Sequence, residues 1–434
     1  MDRMPARKLI PSTAIVLAAL LMLWVAIPAT GQPQGGGGAA SKDAPLPARG
    51  VVIDIDSPEK GLYQIAVPDL RGGAAGKEGA DVLRNDFKLV SLFKVLDPRS
   101  YLANAEKEGM NLDPKAWSSV GAQGVIKGEI RGGSVEMRLY ELAKGGQASL
   151  TKTYPAGGQL RKSMHLFANE VLKVLTGKAG AFDSRITYAM KMGAERKDVF
   201  VADYDGHGAG RVSSGKGIAM LPNFGPGGVW YSRLTKTGMF ITRSGMGEKP
   251  IVSSSGMDMA PTVCNGRIYF TSTRDGNSEI YSSNLSGGDV RRLTKNRSID
   301  VSPTCGPGGK IAFVSNRQGG PQVFVMDADG GGAKRLTFRG DYNQTPAFCN
   351  DPENPMLAFT GRAGGMDVFT INLKTQQYTR ITQGQGMNKD PAFSPDCRMI
   401  AFASSRGGIF IANPEGLNQN KVVSGAAETV RWSR

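Results

Sequence analysis

The sequence predicts a mainly β protein, a C-terminal six-bladed β-propeller preceded by a small α+β domain. Three observations predict it. A strand-rich unit recurs every 39–45 residues from about Arg185 onward. The stretch before it carries no such repeat. The first copy lacks an opening strand, while the chain holds a spare one after the last copy.

The repeat is counted by its last strand: Arg211-Val212-Ser213, Pro250-Ile251-Val252, Arg292-Leu293-Thr294, Arg335-Leu336-Thr337, Arg380-Ile381-Thr382 and Lys421-Val422-Val423. That period is the length of a four-stranded blade. The opening strand follows a proline in five copies, at Pro222, Pro261, Pro303, Pro346 and Pro391. The sixth opening strand has moved to Thr429-Val430-Arg431-Trp432, where it completes the first blade if the array closes into a ring. Closure removes the free sheet edges that invite aggregation. Ile268/Phe270, Ile311/Phe313, Leu357/Phe359 and Ile400/Phe402 alternate at the period of a strand. Arg274, Arg317, Arg362 and Arg406 open the next turn. An arginine repeated at one blade position is expected to be a structural tie to a carbonyl or carboxylate.

Ahead of the repeats, the chain opens with Arg3, Arg7 and Lys8, an apolar run from Ala14 to Ile27 and small residues at Ala29-Thr-Gly31. Residues 1–31 therefore read as a secretory signal peptide. Residues 32–49 are rich in Gly, Pro, Ala and Ser and read as a flexible tether. Residues 50–182 read as the α+β domain, with strands at Val51–Ile55, Leu62–Val67, Gly124–Ile130, Val135–Tyr140 and Ala148–Tyr154. Helical spacing runs over Ala80–Val90 and Leu160–Leu175, the second helix stopping at Gly177. The propeller takes residues 183–434.

The net charge of +15 comes from Lys and Arg scattered through the blades without a basic cluster. This argues against nucleic acid and for an acidic protein partner or an anionic envelope surface. Cys264, Cys305, Cys349 and Cys397 sit near equivalent hairpins of four consecutive blades. Export permits the disulfides Cys264–Cys305 and Cys349–Cys397. Free thiols are favoured if adjacent blades hold these positions beyond the ~7 Å Cα limit of a bridge. CxxC spacing is absent, so no zinc site is expected.

Catalytic chemistry finds no motif. The two histidines, His165 and His207, fall in different domains, and no GxSxG elbow occurs. Asp205-Gly206 and Asp327-Ala-Asp329-Gly330 read as turns rather than calcium loops. No catalytic residue, metal or cofactor is expected, and a docking surface is favoured over an enzyme. The other reading, an exported propeller hydrolase or carbohydrate-binding module, requires acids gathered in the central channel.

The combination of export, α+β domain and six blades in that order resembles the TolB family, the periplasmic propellers of the Tol-Pal system. Pro391-Ala-Phe-Ser-Pro-Asp-Cys-Arg-Met-Ile-Ala-Phe402 is similar to the family's blade signature, Pro-x-Phe-Ser-Pro-Asp-Gly-x-x-Ile-Ala-Phe. Asp81–Phe87, Leu160–Ala168 and Leu175-Thr-Gly177 with Phe182 resemble its N-terminal domain and junction. The resemblance implies a non-enzymatic, monomeric adaptor. It implies binding of the lipoprotein Pal, and through it peripheral association with the outer membrane, by loops that include Gly217, Ile218, Met220, Met257, Asp258, Met259, Asp300, Asn343 and Gln344. It also implies binding of the inner-membrane protein TolA through Val51, Val52, Ile53, Asp54, Ile55 and Asp56. Here a Gly-rich stretch precedes that segment, a departure from the family pattern.

Overall fold

The computed structural model describes residues 61–103 and 105–433. The expected signal peptide, tether and segment Val51–Asp56 lie outside the described residues. Five strands build the first sheet: β1 (Tyr63–Ala66), β2 (Phe93–Val95), β3 (Gly124–Arg131), β4 (Ser134–Glu141) and β5 (Ala148–Pro155). Their order is β2-β1-β3-β4-β5, with β1 parallel to both neighbours and β3 to β5 an antiparallel meander. Alternation explains β4, which buries Val135, Met137 and Leu139 and leaves Glu136 and Arg138 partly open.

Two long helices, α1 (Gly73–Leu89) and α2 (Leu160–Thr176), pack on each other and on this sheet. α2 buries Leu160, Met164, Phe167, Val171, Leu172 and Leu175, a stripe at helical spacing. Each such side chain contributes about 1.5–3 kcal/mol. The helix stops at Gly177, whose φ of 79° suits glycine. α1 begins seven residues before the expected Ala80. Its first turn is Gly73-Ala-Ala-Gly76 and holds no large apolar residue, so hydrophobic spacing is silent there. A Cβ on Gly76 would lie 2.0 Å from the Leu70 carbonyl oxygen, so only glycine lets the helix start so close to the chain leaving β1.

The propeller's six blades follow in chain order among the described residues. The innermost strands of blades 2 to 6 are Ile218–Gly225, Asp258–Cys264, Asp300–Cys305, Asn343–Cys349 and Asn388–Phe393. Blade 1 is assembled from both ends of the repeat region: Ala427–Trp432 pairs antiparallel with Arg185–Gly193, which continues to Arg196–Asp203 and Gly210–Arg211. The C-terminal strand thus supplies the strand that the first copy lacks.

The recurring Arg-Leu-Thr has a physical cause in the fold. Thr294 Oγ1 receives the Ile280 N–H at 2.8 Å and donates to Glu279 at 2.6 Å. Thr337 does the same between Val323 and Gln322, Thr382 between Val368 and Asp367, and Ser213 between Val199 and Asp198. Arg292 and Arg380 then close on Glu279 and Asp367. Each hydroxyl satisfies a buried backbone donor and a buried acceptor at once, a pairing whose loss is costly in a dry interior.

Both cysteine pairs are bonded. Cys264–Cys305 joins blades 3 and 4 and Cys349–Cys397 joins blades 5 and 6. The expectation that blade spacing would keep the thiols apart does not hold: the Cα atoms are 6.3 and 5.4 Å apart. Cys264, Cys305 and Cys349 end innermost strands, which converge on the ring axis, and Cys397 sits in the turn just after another.

Candidate docking face

Every innermost strand runs in the same sense, so their first residues meet on one face of the ring and their last residues on the other. The second, exit face carries the α+β domain. There Arg398 bonds Thr176 and the Lys178 and Ala179 carbonyls, Lys178 pairs with Asp351 and Glu353, and Asn418 reaches Ser91 and the Lys88 carbonyl. Tyr204 stacks on Trp432 and meets the tilted ring of Phe182, joining the two cores. The first, entry face has no such cover among the described residues.

On the entry face each innermost strand carries one left-handed residue: Leu221, Ala260, Ser302, Thr345, Asp390 and Thr429, with φ of 50–57°. Five of them directly precede a blade proline. Each marks a register shift in its strand pair, the signature of a β-bulge that re-aims the following side chains. The neighbouring blade holds the bulge: the Ala260 N–H donates to Ser232, that of Ser302 to Thr271 and that of Asp390 to Thr360, at 2.9–3.0 Å.

Around this rim the apolar surface gathers. Met257, Met259, Ile218 and Leu221 are half-buried over a cluster of Ala189, Met220 and Met239. Ile299, Met387 and Met192 are exposed, and Phe338 is 67 % exposed. Lys216, Arg297 and Arg339 stand exposed on the same loops. Methionine side chains adapt to a partner's shape, and the cations favour an acidic one.

Two acids near the rim, Asp258 and Asp300, each pair with an arginine. Arg274 reaches Asp258 at 2.8 Å and Arg317 reaches Asp300 at 2.6 Å, both carboxylates fully buried. Burial raises the Asp300 carboxyl pKa, against the pull of Ser315 and Arg317. These arginines also cover the rings of Phe270, Tyr281, Phe313 and Phe324, and Arg406 lies 3.9 Å from the Phe410 ring centre. Of the repeated arginines, Arg274 and Arg317 are thus ties to a carboxylate and Arg406 to the Gln419 amide oxygen, while Arg362 lies on the Tyr342 ring.

A second polar centre lies between the domains. Asp86 of α1 accepts from Tyr204 at 2.6 Å and faces His165 Nδ1 at 2.9 Å, all three buried. Asp205 beside them pairs with Arg161. Burial pulls the imidazole pKa down, but the hydrogen bond and charge of Asp86 outweigh it and raise His165 above its ordinary value. Burial likewise raises Asp86, against His165 and Tyr204. Asp86, His165 and Asp205 could each present one ligand atom to a metal within 4.8 Å of the others. Tyr204 bonds the Asp86 carboxylate and Arg161 and Asn85 bond that of Asp205, which suits a structural network. His207 is exposed in its turn, 3.7 Å from Asp203.

Comparison with known proteins follows the same division. A family model described as the TolB amino-terminal domain matches residues 51–148, and one described as the TolB beta propeller domain matches residues 172–360. The chain belongs to the TolB family. Relatives named Tol-Pal system protein TolB include one from Desulfosudis oleivorans, 33% identical over 51% of this chain and 53% of its own length. Another, from Anaeromyxobacter dehalogenans, is 33% identical over 61% of this chain and 64% of its own length. The match thus spans between about half and just under two-thirds of those relatives. The crystal structure of TolB from Acinetobacter baumannii shares the fold, with a TM-score of 0.74, 24% identity and coverage of 86% of this chain and 96% of that one.

The nine rim positions implied by resemblance to TolB are all brought to the entry face, but unequally. Gly217 is exposed, and Ile218, Met257, Met259 and Gln344 are half-buried. Met220, Asp258, Asp300 and Asn343 are buried within the blades, so they shape the rim from below. Sequence reasoning missed Met192, Ile299, Phe338 and Met387. The signal was present for two of them, since Ile299 and Met387 occupy the place of Met257 just before an innermost strand. It also missed Asp86 and Tyr204 as partners of His165.

Proposed function

We propose that this chain is a non-enzymatic periplasmic adaptor of the Tol-Pal system. It binds a Pal-type lipoprotein through the entry face of the propeller and a TolA-type inner-membrane protein through Val51–Asp56. In this role it supports outer-membrane integrity and envelope constriction at division, working as a monomer held near the outer membrane through its lipoprotein partner. The relatives' name supports the assignment to that system. The observation that carries the docking face is the methionine-rich, cation-flanked rim opposite the α+β domain. Buried anchors such as Met259 would supply most of the affinity, and the cations mainly the on-rate. The adaptor reading is supported over a hydrolase by the arginine that pairs with each of the buried rim carboxylates Asp258 and Asp300. The test is calorimetric titration of the chain freed of residues 1–31 with the Pal-type lipoprotein domain of the same organism. Saturable one-to-one binding, weakened by Met259→Lys, is expected. The absence of both heat and co-elution would remove the proposal.

A further inference from the structure

Two residues beyond each bulge, the innermost strands carry Asn223, Thr262, Thr304, Ala347, Ala392 and Arg431. All six line one cavity of about 520 Å³ at the exit end of the channel. Five are short and neutral, and the sixth is an arginine from the strand that closes the ring. No Asp or Glu is among the described residues that line this cavity. Arg431 Nη1 donates to the Val430 carbonyl at 2.8 Å, and the guanidinium makes no ion pair among the described residues. The acid that acts on it, Asp390, spends one oxygen on the Thr429 N–H at 3.1 Å. Burial disfavours the guanidinium charge, and Asp390 offsets this only in part. The cavity therefore holds a cation whose charge is incompletely balanced. Its walls add the rings of Phe224, Phe348, Phe393 and Trp432, and exposed Asn350 and Pro395 connect it to solvent.

We propose that this cavity binds a small organic carboxylate, with Arg431 receiving the carboxylate and the aromatic walls holding an apolar body. A guanidinium presents a planar fork that matches a carboxylate, and a concave apolar site with few placed polar groups is the common form of a small-ligand pocket. The chemistry is shared by a free aromatic acid and by the carboxyl end of a peptide. The site is separate from the docking rim, on the opposite end of the channel, so its failure leaves the adaptor reading untouched.

The experiment is calorimetry on the full chain in chloride-free buffer, with 3-phenylpropionate and N-acetylphenylalanine, each beside its neutral amide. Saturable binding of a carboxylate, about tenfold or more weaker for its amide, is expected. Arg431→Gln should abolish that preference at an unchanged melting temperature. Tighter binding of N-acetylphenylalanine assigns the peptide terminus as the source, and tighter binding of 3-phenylpropionate the free acid. Equal binding of acid and amide, no saturable binding by any probe, or an undiminished preference in Arg431→Gln overturns the proposal. Should Arg431→Gln not fold, Thr304→Leu fills the cavity without touching the charge. Carboxylate binding must then weaken, and unaltered binding overturns the site.

Discussion

Tyr204, in the turn that ends a strand of blade 1, donates its hydroxyl to Asp86 of α1 at 2.6 Å across 118 residues of sequence. His165 of α2 shares the same carboxylate, so three separate elements meet on one buried group. This contact joins the α+β domain to the ring by chemistry as well as by packing.

Tyr204→Phe should weaken the domain junction while keeping the ring stack on Trp432. Removing one partner of a fully buried carboxylate costs about 1–3 kcal/mol. A lower melting temperature and faster amide exchange in α1 and the 203–208 turn are expected. Identical exchange in both segments would show that the hydrogen bond contributes nothing.

The same network gives stability a pH dependence of definite sign. The folded pKa of His165 is raised above its ordinary value of about 6.5, so around neutrality the folded chain binds more protons than the unfolded one. The contribution is complete below about pH 6.5 and is lost as pH rises through the raised folded value. Asp86 acts in the same direction from the acidic side, because its folded pKa is also raised. The melting temperature should fall between roughly pH 6 and 8 in the wild type and fall less in His165→Gln. Parallel curves for the two proteins would contradict this.

Reduction should destabilise the propeller, since the two bridges tie blade 3 to 4 and blade 5 to 6 across loops of 41 and 48 residues. Each contributes about 2–4 kcal/mol by restricting the unfolded chain. Melting with and without reductant, repeated on Cys264→Ser/Cys305→Ser and on Cys349→Ser/Cys397→Ser, separates the two. A melting temperature insensitive to reductant would contradict this.

Phe338→Ser should leave the melting temperature within error, because the ring is largely in solvent, yet lower affinity for the lipoprotein. An exposed aromatic anchor of this kind is worth about 2 kcal/mol or more in a docked interface. Unchanged affinity would move the contact away from the blade 4 side of the rim.

Removal of residues 426–434 should leave Arg185–Gly193 as an open edge and strip Val430 and Trp432 from the core. Unpaired edges associate. Size-exclusion chromatography should show soluble oligomers or loss of the monomer peak. A monomer with full stability would mean that the ring does not depend on this strand.

Much of the fold is written locally. The 39–45-residue period, the proline carried inside five of the six innermost strands and the Arg-Leu-Thr endings announce the blades, because each blade repeats the same nearest-neighbour chemistry. The spare strand Thr429–Trp432 declares ring closure for the same reason. Helix starts were less legible: Gly73–Gly76 enters α1 by close approach to Leu70, which leaves no hydrophobic period.

The site divides along that line. The nine rim residues were implied by the resemblance to TolB, and the shared height of equivalent positions in successive blades brings them to one face. Neither resemblance nor repeat separates Met259, half-buried at the rim, from Asp258, fully buried and paired with Arg274. The cysteine bridges, the Asp86–His165–Tyr204 network and the isolation of Arg431 in the channel were decided by the tertiary structure alone. Each depends on distances set when the ring closes and the α+β domain docks. Those events place residue 432 beside residue 186 and residue 204 beside residue 86, separations over which local sequence patterns carry no information.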